Sequence, residues 1–150
     1  VNDELRLAAP EDAAEVAALV DRAYTGYIER IGRKPGPMLD DYAALIADGL
    51  VRVLRRDGRI CGVLVLIGRD DHLLLDNVAV APEAQGHGLG RRLVEAAEDV
   101  ARDLGYATVR LYTHETMVEN IALYEHLGFS ITHRAKDRGY DRIYMAKTLA

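Results

Sequence analysis

A chain of 150 residues that is 49% hydrophobic and 29% charged, with a formal net charge of −5, is long enough for one domain with its own core and too apolar to stay disordered. It holds no apolar run near the ~20 residues that span a bilayer, and residues 1–6 lack the basic-then-apolar layout of a signal peptide. Its 16 Arg and 3 Lys are scattered rather than gathered into the basic stripe of a nucleic-acid-binding surface, so a cytoplasmic protein that engages neither membrane nor nucleic acid is expected.

Residues 5–7 read as a short first strand. Pro10 with Glu11 and Asp12 opens a helix, since proline suits the first turn and acids face the positive end of the dipole. Val16, Leu19, Val20, Ala23 and Tyr27 give that helix one apolar face, and two Gly and two Pro within residues 32–37 break it into a loop. A second helix is expected over residues 40–48, ending at Gly49. The period then changes. Residues 51–55 alternate like a half-buried strand, Asp57-Gly58 is a hairpin signal, and residues 60–67 return as a strand apolar on both faces. Asp70-Asp71 turns the chain into a further strand over 72–80. After Pro82 and a glycine-rich turn, Leu89, Leu93, Ala96, Ala97, Val100 and Leu104 form the buried stripe of a helix over 88–104, closed by Gly105. A strand at 108–113, reached through that helix, is expected to run parallel to its predecessor. A short helix at 120–126 and strands at 130–134 and 142–148 complete an α/β fold with a mixed central sheet, an antiparallel meander with one parallel strand-helix-strand crossover.

Several chemistries have no place to sit. One cysteine, Cys61, leaves no internal disulfide and no multi-cysteine zinc site, and the histidines lack metal-ligand spacing, so no metal is expected. The only serine, Ser130, lies outside any Gly-x-Ser-x-Gly elbow. The informative segment is the glycine turn. Val78, Ala79 and Val80 lead through Pro82 into Gln85, Gly86, His87, Gly88, Leu89, Gly90 and Arg91, where the helix starts. The first N–H groups of a helix lack intrahelical partners and sit at the positive end of its dipole, which suits a phosphate or pyrophosphate. Glycines let an anion approach the backbone, and Arg91 and Arg92 add charge. The spacing is neither the dinucleotide fingerprint nor a P-loop. On residue types alone, a tight turn and a phosphate cradle both stand.

Gln85-x-x-Gly88-x-Gly90 after Val78, Ala79, Val80, Ala81 and Pro82 resembles the acetyl-CoA-binding motif of the GNAT superfamily of N-acetyltransferases. Asn120 followed by Tyr124 and Gly128-Phe129 resembles the family's second signature. The order of elements fits the family along nearly the whole chain, residues 24–50 least. The resemblance implies a single GNAT-like N-acetyltransferase domain over residues 1–150, with the acyl-CoA N-acyltransferase fold. It also implies direct transfer of an acetyl group from acetyl-CoA to a primary amine. Pantetheine would pair along Val78, Ala79 and Val80, and the pyrophosphate would sit on the amides of residues 86–91, with Gln85 and His87 beside it. Asn120 would contact the cosubstrate, and Tyr124 would protonate the departing thiolate; without the motif, Tyr124 reads as core. These roles agree with elementary chemistry, since a backbone N–H near Val78 can polarise a thioester carbonyl and a phenol of pKa ~10 can protonate a thiolate of pKa ~8.5.

An acceptor amine of pKa ~10.4 is almost wholly protonated at neutral pH and needs a base. Asp76 is the leading candidate because alternation places it on the face of Val78 and Val80. A structural bond to backbone or to an arginine is its alternative role, and Glu115 and His114 come next. Tyr24, Tyr27, Arg33 and Tyr42 are expected to shape the acceptor pocket, with Arg33 or Lys34 meeting an acceptor carboxylate. The alternative is that they pack with polar tips outward. Tyr140 and Arg142 form a second such group. The acceptor itself (small amine, amino acid or protein amine) is open, and edge strands offer surfaces for a homodimer. A non-catalytic acyl-CoA-binding sensor or interaction module on the same fold is the competing function, with a nucleotide-binding protein third.

Overall fold

The computed structural model describes residues 3–150; Val1 and Asn2, part of the segment read against a signal peptide, lie outside the described residues. Seven strands form one sheet in the order β1-β2-β3-β4-β5-β7-β6. β1 (Asp3–Leu7), β2 (Val51–Arg56), β3 (Arg59–Gly68) and β4 (Leu73–Val80) are the antiparallel meander. β5 (Thr108–His114) runs parallel to β4, and β7 (Tyr140–Thr148) joins β5 antiparallel with β6 (Ser130–Asp137) outside it. The expected mixed sheet and its one parallel crossover are therefore present.

The helices fall where apolar periodicity put them, with shifted ends. Pro10–Asp12 is a 3₁₀ turn whose Asp12 carboxylate accepts from Ala9 N at 2.8 Å and pairs with Arg55. It leads into α1 (Ala13–Tyr24), a second 3₁₀ turn and the single turn of α2 (Ile28–Ile31). Gly32, at φ 87°, ends this run where the sequence ends it. The loop expected over 32–37 gains a 3₁₀ turn, Gly36–Leu39. α3 (Tyr42–Ala47) starts two residues late because Asp41, not Asp40, is its cap, its side chain accepting from Ala44 N at 3.1 Å. α4 (Leu89–Asp103) and α5 (Val118–His126) follow. The final strands are longer than expected, because Arg138 and Gly139 take φ 51° and 83° and close a tight hairpin just as Asp57 and Gly58 do at 53° and 81°.

β3 is buried at successive residues from Ile60 to Leu66, which requires cover on both faces. A Cβ at Gly62 would stand 3.1 Å from Leu93 of α4, while three residues further along the ladder Asn77 of β4 meets Tyr24 of α1 on the opposite face. α1 and α4 thus sandwich the sheet centre. No helix among the described residues is long and apolar enough to cross a membrane.

One irregularity positions everything that follows. β4 and β5 pair only at Leu73–Val109, Leu74–Arg110 and Leu75–Leu111. Beyond Leu75 each strand follows its other neighbour, β4 with β3 to Val80 and β5 with β7 to His114, so the pair forks. A bulge sits at the fork: Leu66 faces Leu75 and Val65 faces Asn77, leaving Asp76 as the extra residue. Bulges bend a strand and re-aim its side chains.

Candidate active site

The fork exposes backbone. Tyr24 Oη donates to Val78 O at 3.1 Å and Gln85 Nε2 donates to Val80 O at 3.3 Å, whereas Ala81 N donates to Cys61 O on β3. A strand residue points its own N–H and C=O the same way, so Val78 and Val80 present both groups to the fork. The strand then enters the glycine turn. Gly86 and Gly88 adopt φ 84° and 77°, and a Cβ at either would project into open space. Gly88 is the residue before α4, whose first N–H groups have no helical partner. Together these elements line a cleft of about 400 Å³ that includes Val78, Val80, Gln85, Gly90, Asn120 and Tyr124.

The residues expected at the cosubstrate distribute unevenly here. Ala79, Gly86, Gly88, Leu89 and Arg91 also border the cleft, although the Leu89 side chain belongs to the core and Arg91 is exposed and paired with Glu95 at 3.1 Å. His87 is exposed and off the lining. The turn's backbone faces the cleft, and its one imidazole does not.

A larger cavity, about 660 Å³, opens on the far side of the fork. The two spaces share Tyr24, Val78, Asn120 and Tyr124. Tyr124 is 8% exposed and packs edge-on against Phe129, and burial pushes its hydroxyl up to about 12. Tyr24 Oη shares its one proton between Val78 O and the nearer Asn77 Oδ1, at 2.6 Å; burial first, then the nearby phenols and Asp76, hold it well above the usual phenol value. Asp76 lines the larger cavity and accepts from Tyr112 Oη at 3.0 Å, so the structural bond weighed for it exists, made with a phenol rather than an arginine. Burial, then the Asp76 charge, raises Tyr112 to about 12. His114 also borders this cavity, its Nδ1 engaged by Thr116 at 2.9 Å, whereas Glu115 lines neither space.

The expected acceptor group divides. Arg33 lines the larger cavity, together with Tyr140 and Arg142. Tyr27 instead borders the cleft, near Glu119. Tyr42 lines neither space, which corrects its placement in an acceptor pocket. It stands behind the wall, donating to Pro37 O at 2.6 Å and accepting from Asn77 Nδ2 at 3.1 Å. Its aromatic ring is buried with the core between α1 and α3, so only its hydroxyl meets polar partners. Among the cavity residues that escaped the sequence reading are Asp40, Asn77 and Tyr112. Asn77 had a signal, being a polar residue at an inward position of an apolar strand. Tyr112 and Asp40 had none, since a Tyr in a strand and an Asp before a helix are ordinary. Burial, then Asp76, raises the Asp40 carboxyl. Among the described residues no group of three His, Cys, Asp or Glu side chains is placed to hold a metal ion.

A sequence profile described as the acetyltransferase (GNAT) family matches residues 14–129. A mycothiol acetyltransferase of Pseudarthrobacter chlorophenolicus is 47% identical over 53 residues, 35% of this chain and 16% of that protein. The [ribosomal protein bS18]-alanine N-acetyltransferase of Escherichia coli K12 is 36% identical over 77 residues, 51% of this chain and 52% of that protein. The chain thus spans about half the length, or less, of these curated relatives. Its fold is similar to that of the PaiA N-acetyltransferase of Thermoplasma acidophilum in complex with coenzyme A, with TM-score 0.83, 18% identity and 99% of each chain covered.

Proposed function

The chain belongs to the GNAT acetyltransferase family, and from that premise we propose that it transfers an acetyl group from acetyl-CoA to a primary amine. The observation that carries the reading is the meeting of two cavities at Tyr24, Val78, Asn120 and Tyr124, one walled by the backbone of the glycine turn and the other holding the Asp40 and Asp76 carboxylates. A two-substrate reaction without a covalent enzyme intermediate needs such an arrangement.

The residues present fit acetyl-CoA. Open space where a Cβ would stand at Gly86 and Gly88, beside the free N–H groups of α4, suits a pyrophosphate. The outward N–H and C=O of Val78 and Val80 suit an amide-bearing arm that pairs like an added strand. Acetyl-CoA supplies the activated thioester; the chain does the rest. Val78 N–H polarises the thioester carbonyl, and one such donor is worth ~3 kcal/mol in the transition state. Asp76 holds the acceptor ammonium and takes its proton, directly or through water, as nitrogen bonds to the acyl carbon. Tyr124 donates to sulfur as the C–S bond breaks. Its raised pKa is no obstacle, because the burial that disfavours a phenolate disfavours a thiolate beside it too. Asn120, at the same meeting point, orients the thioester arm.

The test is amine-dependent release of the CoA thiol across an amine panel, for the native chain and Tyr124→Phe. Transfer predicts release with some amines and a loss of roughly 10²-fold in kcat for Y124F, with CoA affinity retained. Binding of acetyl-CoA with no amine-dependent release would make the chain a non-catalytic acyl-CoA-binding module instead.

A further inference from the structure

The larger cavity carries opposite charge at its two ends. Two residues along β4 from Val78 stands Asp76, close enough to Asp40 for its charge to raise that carboxyl. Among the described residues neither carboxylate has an ion-pair partner. From there the wall runs outward as an alternation of rings and guanidinium groups. Tyr112 bonds Asp76, and the Arg142 guanidinium lies 4.2 Å from the Tyr112 ring centre and 5.6 Å from that of Tyr140. The Arg33 guanidinium lies 3.8 Å from the Tyr140 centre.

The two arginines are not equivalent. Arg142 is already neutralised, its Nη1 lying 2.6 Å from Asp137 Oδ2. Among the described residues Arg33 has no carboxylate partner. Its contacts are the Tyr140 ring and Arg138 O, to which Nη2 donates at 3.0 Å. Tyr140 is itself anchored, donating to Lys34 O at 2.5 Å. An exposed guanidinium held by a ring and a carbonyl is pre-organised, and most of its five N–H donors remain for a ligand. That fork geometry matches a carboxylate.

Resting on the transfer reading above, we infer that the acceptor is an ω-amino carboxylate: a primary amine that seats at Asp76 and Asp40, on a chain whose carboxylate pairs with Arg33 several bonds away. An α-amino acid, with both groups on one carbon, cannot reach across two rings and the guanidinium between them. The cavity volume, about 660 Å³, accommodates a short chain of this kind.

The experiment compares 6-aminohexanoate with hexylamine, which share an amine and a chain and differ in the carboxylate. Affinity is measured by titration calorimetry in the presence of CoA, and kcat/KM by thiol release. The expected result is a preference for 6-aminohexanoate of about 10-fold or more in both measures. Arg33→Gln should cut that ratio to below about 2, and R33K, which keeps charge but not the fork, should fall between. Thermal melts of both variants confirm folding. Equal affinity for the two ligands, or an R33Q ratio like that of the native chain, overturns the inference. The two readings fail differently. A binding preference without thiol release from any amine sinks acetyl transfer and leaves the site; release from both amines without preference sinks the site and leaves transfer.

Discussion

At the scale of single residues, Asn77 has the widest reach. Its amide is buried on the inward face of β4, accepts from Tyr24 of α1 at 2.6 Å and donates to Tyr42 of α3 at 3.1 Å. Tyr42 in turn donates to Pro37 O, so one side chain ties two helices and the 36–39 turn to the strand that borders the fork. Asn77→Leu keeps the volume and removes both bonds, leaving Tyr24 only its longer bond to Val78 O and Tyr42 only its donation to Pro37 O. It should destabilise the chain by about 2–3 kcal/mol, read as a lowered urea midpoint with an unchanged slope. Loss of less than about 0.5 kcal/mol would show that water replaces the amide. Tyr42, expected in an acceptor pocket, instead serves this tie. A sequence states that a tyrosine needs a partner for its hydroxyl but not which side of a wall that partner occupies.

At the scale of elements, the glycine turn and α4 act as one unit. Gly88→Ala puts a Cβ at φ 77°, which costs roughly 1 kcal/mol, and adds a methyl in open space at a residue that lines the cleft. CoA affinity should fall by about 10-fold or more while the melting temperature falls by only ~2–4 °C. Affinity that merely tracks the stability loss would separate the turn from the ligand. Elements with a local cause were legible in the sequence: the Asp57-Gly58 hairpin, the amphipathic stripe of α4 and the glycine stop at 32. The Arg138-Gly139 hairpin was not, because arginine is an uncommon occupant of φ 51° and the turn is imposed by the pairing of β6 with β7. The smaller cleft was legible in part, because its wall from Val78 to Arg91 is one local stretch, whereas Tyr24, Asn120 and Tyr124 join it from elsewhere in the chain. The larger cavity draws Arg33, Asp76, Tyr112 and Arg142 from four separate segments, and only the assembled sheet brings them together.

At the scale of the molecule, the aromatic skew of eight Tyr against one Phe and no Trp becomes a titration property. Burial raises Tyr24, Tyr27, Tyr42, Tyr112 and Tyr124 above the usual phenol value, the last two to about 12. The folded chain therefore holds protons that the unfolded chain has released once pH passes ~10. Their stabilising contribution is complete below pH ~10 and is lost as pH rises through about 12. With only 3 Lys to titrate in that window, the alkaline limb reports mainly tyrosine. Urea midpoints from about pH 8 to pH 11, measured alongside tyrosinate absorbance, should stay level to about pH 9.5 and then drop steeply as absorbance appears. A midpoint that stays level through pH 11 would contradict this burial. The fork has a mechanical side as well. The meander and the β5–β7 half share a three-residue seam, from Leu73 to Leu75, backed by α4 packed across β3, β4 and β5. The molecule is two plates joined along one short edge, with α4 as a brace behind them and the Tyr112–Asp76 bond as a tie across the gap, and a guest lodged there acts as a splint.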